Sequence, residues 1–107
     1  MERPDELPDH GKVGEALKRL FVGGGNRPLS ASEAYELLAA HFNLSRYQLN
    51  LVIKTAKGSE NAWHNRCRTA RNHLVKSGIM NKEPRNSWSL TARAFRGLTL
   101  TPEELGL

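Results

Sequence analysis

The chain has 107 residues, which is too short for two hydrophobic cores. Of these residues 38% are hydrophobic and 25% are charged, a composition typical of one soluble globular domain. It has no apolar run near the roughly 20 residues of a membrane span and no apolar signal core at its N-terminus, so we expect neither membrane insertion nor export. The single cysteine, Cys67, excludes an internal disulfide and a cysteine-rich zinc site, which favours a cytoplasmic location.

The first half of the chain predicts three helices. Residues 1–11 read as a flexible N-terminal arm because proline and glycine punctuate them. Apolar residues at helical spacing predict a first helix over residues 12–22, ended by three consecutive glycines. A capping box at residues 30–33 predicts a second helix to about residue 41. A second box at residues 45–48 predicts a third helix to about residue 56.

The second half predicts a long helix followed by a wing. The longest helix is expected over residues 60–77 and closed by Gly78. Short strands are expected over residues 79–82 and 87–90, joined by a turn, and Thr91 caps a short helix through residue 96. Residues 98–107 are a tail, in which another capping signature starts a linker helix. This order predicts a mainly α fold with a small β-hairpin, a winged helix-turn-helix over residues 12–97.

Charge is divided unevenly along the chain. Residues 1–45 carry five Lys/Arg and seven Asp/Glu, whereas residues 46–97 carry eleven Lys/Arg against only Glu60 and Glu83. A basic centre of this kind is typical of a surface that binds a polyanion. Arginine outnumbers lysine seven to four in it, which favours nucleic acid because arginine pairs well with phosphate and with bases. A solvated basic surface is the alternative.

The two sides of the long helix differ in chemistry. Trp63, Cys67, Ala70 and Leu74 recur at helical spacing and predict its core face, so we expect Cys67 to be buried and unreactive. The other side is rich in asparagine, a poor helix former that can pair with adenine. We predict that this side contacts bases through Asn61, His64, Asn65, Arg68, Thr69 and Asn72. An irregular surface that tolerates asparagine is the alternative.

Basic residues flank this face. We predict that the phosphate contacts come from Lys57, Arg66, Arg71, Lys76, Lys82 and Arg85. We predict no metal site and no cofactor: His64 and His73 bracket Cys67, but they lie on opposite sides of the apolar stripe without an acidic neighbour.

The segments NRCRTARNHLVKSGIM (residues 65–80) and SWSLT (residues 87–91) resemble the N-terminal winged-helix domain of Mrr-type restriction endonucleases. FNLSRYQL (residues 42–49) is similar to that family's Leu-Ser segment, and the resemblance covers most of residues 12–96. Thr69 departs from the tryptophan that the family usually has there. The resemblance implies a DNA-recognition module that helps to target a nuclease, often towards modified DNA. Its matching positions are Asn65, Arg66, Ala70, Arg71, Leu74, Lys76, Gly78, Trp88, Leu90 and Thr91.

No catalytic residue is predicted. A metal-dependent restriction nuclease needs acidic residues with a nearby lysine on the same strand, and neither Glu-x-Lys nor Asp-x-Lys occurs in the 107 residues. We therefore expect a double-stranded DNA-binding domain, not an enzyme, that works with a nuclease domain or subunit. Two alternatives stay open: a small winged-helix transcriptional regulator, and a protein-interaction winged helix whose basic face binds an acidic partner.

Overall fold

The computed structural model describes residues 7–99, which form a mostly helical, winged-helix-like fold with a two-stranded antiparallel hairpin. In chain order the elements are α1 (His10–Gly23), α2 (Ala31–His41), α3 (Arg46–Leu49), β1 (Val52–Thr55), β2 (Gly58–Asn61), α4 (Ala62–Lys76) and α5 (Ala92–Thr99). The predicted linker helix at residues 101–104 lies outside the described residues.

Local capping chemistry sets the starts of the first helices. Asp9 caps α1, which begins two residues before the predicted start, by accepting from the backbone N–H of Lys12 at 2.8 Å. Both predicted capping boxes are confirmed, at Ser30 for α2 and at Ser45 for α3. In each box the serine hydroxyl accepts from the backbone three residues on, while the Glu or Gln side chain there accepts from the serine N–H.

The prediction of a third helix to residue 56 is wrong. Helix α3 ends at Leu49 after a single turn, and the chain then forms the β1–β2 hairpin, in which Val52 pairs with Asn61 and Thr55 with Gly58. The physical reason is that Val52, Ile53 and Thr55 are β-branched and favour an extended backbone. Gly58 has a φ of 122°, which lets the chain turn back into β2.

The predicted wing is present in reduced form. Instead of strands over residues 79–82 and 87–90, the structure has one isolated bridge between Met80 and Leu90, and a second between Leu29 and Trp88. Pro84 has no backbone N–H for a strand ladder, and residues 81–87 form a loop, which we call the wing loop. Gly78 closes α4 as predicted, with a φ of 77°.

The core lies between α1, α2 and α4 and extends under the bridged residues of the wing. The predicted core face of α4 is confirmed, since Trp63, Cys67, Ala70 and Leu74 are all buried. The members of the core that come from other elements are Val13, Ala16, Leu17, Phe21, Leu29, Ala34, Leu38, Met80, Trp88 and Leu90. Because α1 packs on one side of α4, the opposite side of α4 is left at the surface.

Two further elements complete the fold. The oxygen of the Thr91 side chain accepts from the backbone N–H of Ala94 at 3.1 Å, so the predicted cap of α5 is confirmed, although the helix runs on to Thr99. Among residues 7–99, no helix is both long and apolar enough to cross a membrane.

Candidate nucleic-acid interface

Besides its core face, helix α4 has two flanks that contact other parts of the fold and one outer face. On one flank Arg66 and His73 face the residues that precede and begin α1. On the other flank His64 and Arg71 contact α2 and the wing. Between these flanks an outer face remains, which we define by Asn65, Arg68, Thr69, Asn72 and Lys76. The structure therefore divides the predicted site residues into an outward set and two flanking sets.

The hairpin supplies a carboxylate to the outer face. Asn65 donates a short hydrogen bond from its Nδ2 to Glu60 Oε1, and Arg68 Nη2 lies 2.7 Å from Glu60 Oε2. These two bonds, that from Asn65 first, lower the pKa of Glu60 below its ordinary value. Glu60 was predicted to begin the long helix, but it belongs to β2 and reaches over the first turns of α4.

Asn61 and His64 occupy structural positions at the start of α4. Asn61 is the N-cap: its Oδ1 accepts from the backbone N–H of His64 at 3.0 Å, and its Nδ2 donates to the Leu49 carbonyl at 2.8 Å. The amide of Asn61 is thus used within the fold, which does not suit the predicted base contact. The His64 ring stacks on Tyr35 with centroids 4.2 Å apart, and burial followed by the charge of Arg68 lowers its pKa.

A groove runs between the outer face and the wing loop. Arg68 and Asn72 line it from α4, and Arg85 and Asn86 line it from the wing loop. A second, adjoining concavity continues past Lys76 to Lys82 and Glu83. Lys76, Lys82 and Arg85 are exposed, as the prediction of phosphate contacts requires. Thr69 is partly buried on the outer face and is not among the residues that line the groove.

The β1–β2 hairpin carries cations at the other end of α4. Lys57 lies in its turn and Lys54 on β1, and both are exposed. Glu60 of the same hairpin contacts Asn65 and Arg68, so the hairpin and the outer face form one continuous polar surface. Lys54 was not among the predicted contacts because a helix was expected there.

Arg66 and Arg71 are held by the fold. Arg66 Nη1 donates to the Pro8 carbonyl at 2.7 Å and ties the chain before α1 to α4. Arg71 is only 9% exposed, and its Nη2 donates to the carbonyls of Asn81 and Lys82, each at 2.9 Å. Its guanidinium also lies 5.7 Å from the Trp88 ring centroid. These contacts give Arg71 a structural role at the wing, and the phosphate contact predicted for it stays a prediction.

Replacing Arg71 by Ala is expected to lower the free energy of unfolding by about 2–4 kcal/mol, because the carbonyls of Asn81 and Lys82 lose a charged donor and the buried side chain leaves a gap beside Trp88. Arg71→Lys should cost roughly half as much, since an ammonium can keep one of these bonds but not both. Urea unfolding followed by tryptophan fluorescence measures both changes. An unfolding midpoint for Arg71→Ala equal to that of the wild type would contradict this role.

The thiol of Cys67 has no chemical part in the site. It is fully buried on the core face, and burial raises its pKa to about 12. The prediction of a buried cysteine is confirmed, and the raised pKa is consistent with the expected low reactivity of the thiol. Within residues 7–99, no group of three or more His, Cys, Asp or Glu side chains is placed to hold a metal ion.

Two contacts of the site were not predicted from the sequence. The return of Glu60 onto Asn65 and Arg68 depends on the hairpin, and Val52-Ile53-Lys54-Thr55 followed by Gly58 was the signal that could have revealed it. The stacking of Tyr35 on His64 joins residues 29 positions apart and has no local signal.

The comparisons with known proteins agree with this architecture. The model of the family described as Mrr N-terminal domain matches residues 15–99, which span α1 to α5 and include the outer face, the hairpin and the wing loop. No curated protein and no solved structure matches the chain. The matched domain is associated with restriction systems and is not itself a catalytic nuclease domain. Since the match covers most of the 107 residues, the chain belongs to the Mrr N-terminal domain family.

Proposed function

We propose that this domain binds double-stranded DNA and serves as the recognition module of a restriction system. The observation that carries the proposal is the continuous surface on one side of α4, where base-compatible side chains lie between two groups of exposed cations. Lys54 and Lys57 stand at the hairpin end, and Lys76, Lys82 and Arg85 at the wing end.

The exposed cations and the outer face of α4 suit different contacts with DNA. Exposed lysine and arginine bind phosphates without regard to sequence and set the position of the helix on the duplex. Asn65, Arg68 and Asn72 can hydrogen-bond base edges, because Asn pairs with adenine N6/N7 and Arg with guanine O6/N7. A helix of 15 residues is about 22 Å long and fits the major groove.

Cleavage would come from elsewhere. The matched family is an N-terminal domain, and the acid-plus-lysine pattern of a metal-dependent nuclease is absent from the 107 residues. The domain would therefore act with a nuclease domain or a separate nuclease subunit, and the recognised site or base modification would direct that partner. The cytoplasmic location expected from the sequence is compatible with this role.

Arg85→Ala is expected to weaken binding to a random-sequence duplex by about five- to tenfold at low salt, because one phosphate contact is lost. The measurement is fluorescence anisotropy of a labelled duplex, with and without base modification. Arg19→Ala is the matched control: Arg19 is exposed on α1, which packs on the core side of α4, and its replacement should leave the affinity unchanged.

An acidic polypeptide tests the alternative partner. Polyglutamate carries negative charge without bases or a phosphate backbone, so DNA binding predicts that it competes poorly with the duplex. Equal competition by polyglutamate would favour an acidic protein partner, and equal effects of Arg85→Ala and Arg19→Ala would count against an interface at the wing loop.

A further inference from the structure

Glu60 is an acidic residue on a surface that is otherwise basic. It is one of only two acids among residues 46–97, and it lies against the side chains that the proposed function assigns to base recognition. The register of the hairpin places Glu60 opposite Ile53, one pair away from the end of β2. A solvated carboxylate on this surface would be repelled by DNA, so its position needs a physical reason.

The contacts of Glu60 give that reason. Its two oxygens accept from two different side chains of the outer face, Oε1 from Asn65 and Oε2 from Arg68 at 2.7 Å. The side chains of Arg68 and Glu60 are 45% and 30% exposed, so the pair is reachable from solvent. Without DNA, therefore, Glu60 holds Nδ2 of Asn65 and Nη2 of Arg68, two groups that could otherwise donate to base edges.

The same contacts affect correct and incorrect DNA sites differently. A phosphate oxygen can accept from Arg68 or from Asn65 in place of Glu60, but it has no hydrogen to donate and so leaves an unpaired carboxylate beside a polyanion. A matching pair of base edges can replace Glu60 for both side chains, and Glu can itself accept from a cytosine N4 amino group. A repulsive element that penalises wrong partners more than right ones raises specificity.

We infer that Glu60 is a specificity-determining residue, which holds Asn65 and Arg68 until a base edge of the duplex takes its place. The inference rests on the proposed function, because it assigns a selectivity device to the same DNA interface. In this role the charge of Glu60 lowers the affinity for non-specific DNA, and Glu60 itself binds neither phosphate nor metal.

The test is Glu60→Gln, which keeps the size of the side chain and removes its charge. We expect affinity for a random-sequence duplex to rise about three- to tenfold, since one like charge leaves the interface. The ratio of affinities for selected and random duplexes should fall by a similar factor, where the selected duplexes are those that the wild-type domain enriches from a randomised pool.

Glu83→Gln is the matched control, because Glu83 is the other acid of the basic stretch and lies exposed on the wing loop. It changes the net charge equally, so it should raise the affinities for selected and random duplexes alike and keep their ratio. In an Arg68→Ala background, Glu60→Gln should have little further effect on the ratio, because the side chain that it releases is gone.

The outcomes separate the inference from the proposed function. If the wild-type domain binds duplex DNA and Glu60→Gln changes the ratio no more than Glu83→Gln does, the inference is overturned and the proposed function stands. If the wild-type domain binds no duplex at low salt, both are overturned. A ratio that falls in Glu60→Gln alone supports the inference.

Discussion

The affinity of this domain for duplex DNA is expected to fall by about two to three orders of magnitude when salt rises from about 50 to about 200 mM. The reason is the release of counterions: each neutralised phosphate of B-DNA frees about 0.9 of a counterion, so five contacts give a slope of about −4.5 in a double-logarithmic plot. The exposed cations that we propose as the source of these contacts are Lys54, Lys57, Lys76, Lys82 and Arg85.

Double variants that remove the same number of charges measure how much each end of α4 contributes to this slope. Lys54→Ala/Lys57→Ala removes the hairpin contribution and Lys82→Ala/Arg85→Ala removes that of the wing loop, so each should make the slope shallower by about two. Lys12→Ala/Arg19→Ala lowers the net charge equally on α1 and should leave the slope unchanged. A slope that is flat in the wild type, or equal changes in all three variants, would contradict the placement of the interface.

Local chemistry explains why most helices could be predicted from the sequence. The serines at positions 30 and 45 bond to their own helices within three residues, and glycine at position 78 adopts the left-handed conformation. These signals need no knowledge of the rest of the chain. The apolar stripe of α4 was also predictable, because one helix repeats its core contacts every three to four residues.

The hairpin was missed because two local signals compete over residues 45–61. The capping box at Ser45 is real, and the spacing of Leu49, Val52 and Ile53 fits a helix, so the pattern predicted one continuous helix. The β-branched residues and Gly58 favour the hairpin instead, and tertiary contacts decide between the two. The Leu51 carbonyl accepts from the Ala62 N–H at 2.8 Å, which joins the hairpin base to α4.

The burial of Arg71 could not be predicted from its place on the helix. A helical wheel puts Arg71 on a flank of α4, where the sequence predicted a phosphate contact. Its partners are the carbonyls of Asn81 and Lys82 and the ring of Trp88, and their position depends on the path of the wing loop. For the same reason the sequence alone could not show which of the predicted site residues face outward.

Trp63→Ala is expected to be the most destabilising single change in α4, with a loss of about 3–5 kcal/mol in the free energy of unfolding. The side chain is 1% exposed, packs edge to face on Phe42 with centroids 6.0 Å apart, and donates from Nε1 to the Tyr35 carbonyl at 3.0 Å. It therefore fixes the start of α4 on α2. Domains of this size have total stabilities of about 5–15 kcal/mol, so urea unfolding should show a large shift.

Two controls separate volume from hydrogen bonding and from surface effects. Trp63→Phe keeps an aromatic ring but leaves the Tyr35 carbonyl without its donor, and should cost about 1–3 kcal/mol. Tyr47→Ala removes an aromatic ring that is 62% exposed and should stay within about 0.5 kcal/mol of the wild type. Trp63 donates to the carbonyl of Tyr35, and the ring of Tyr35 stacks on His64 of α4. A Trp63 variant that is partly unfolded should therefore lose affinity for DNA as well as stability. If Trp63→Ala unfolds at the wild-type urea concentration, the indole does not hold α4 in place.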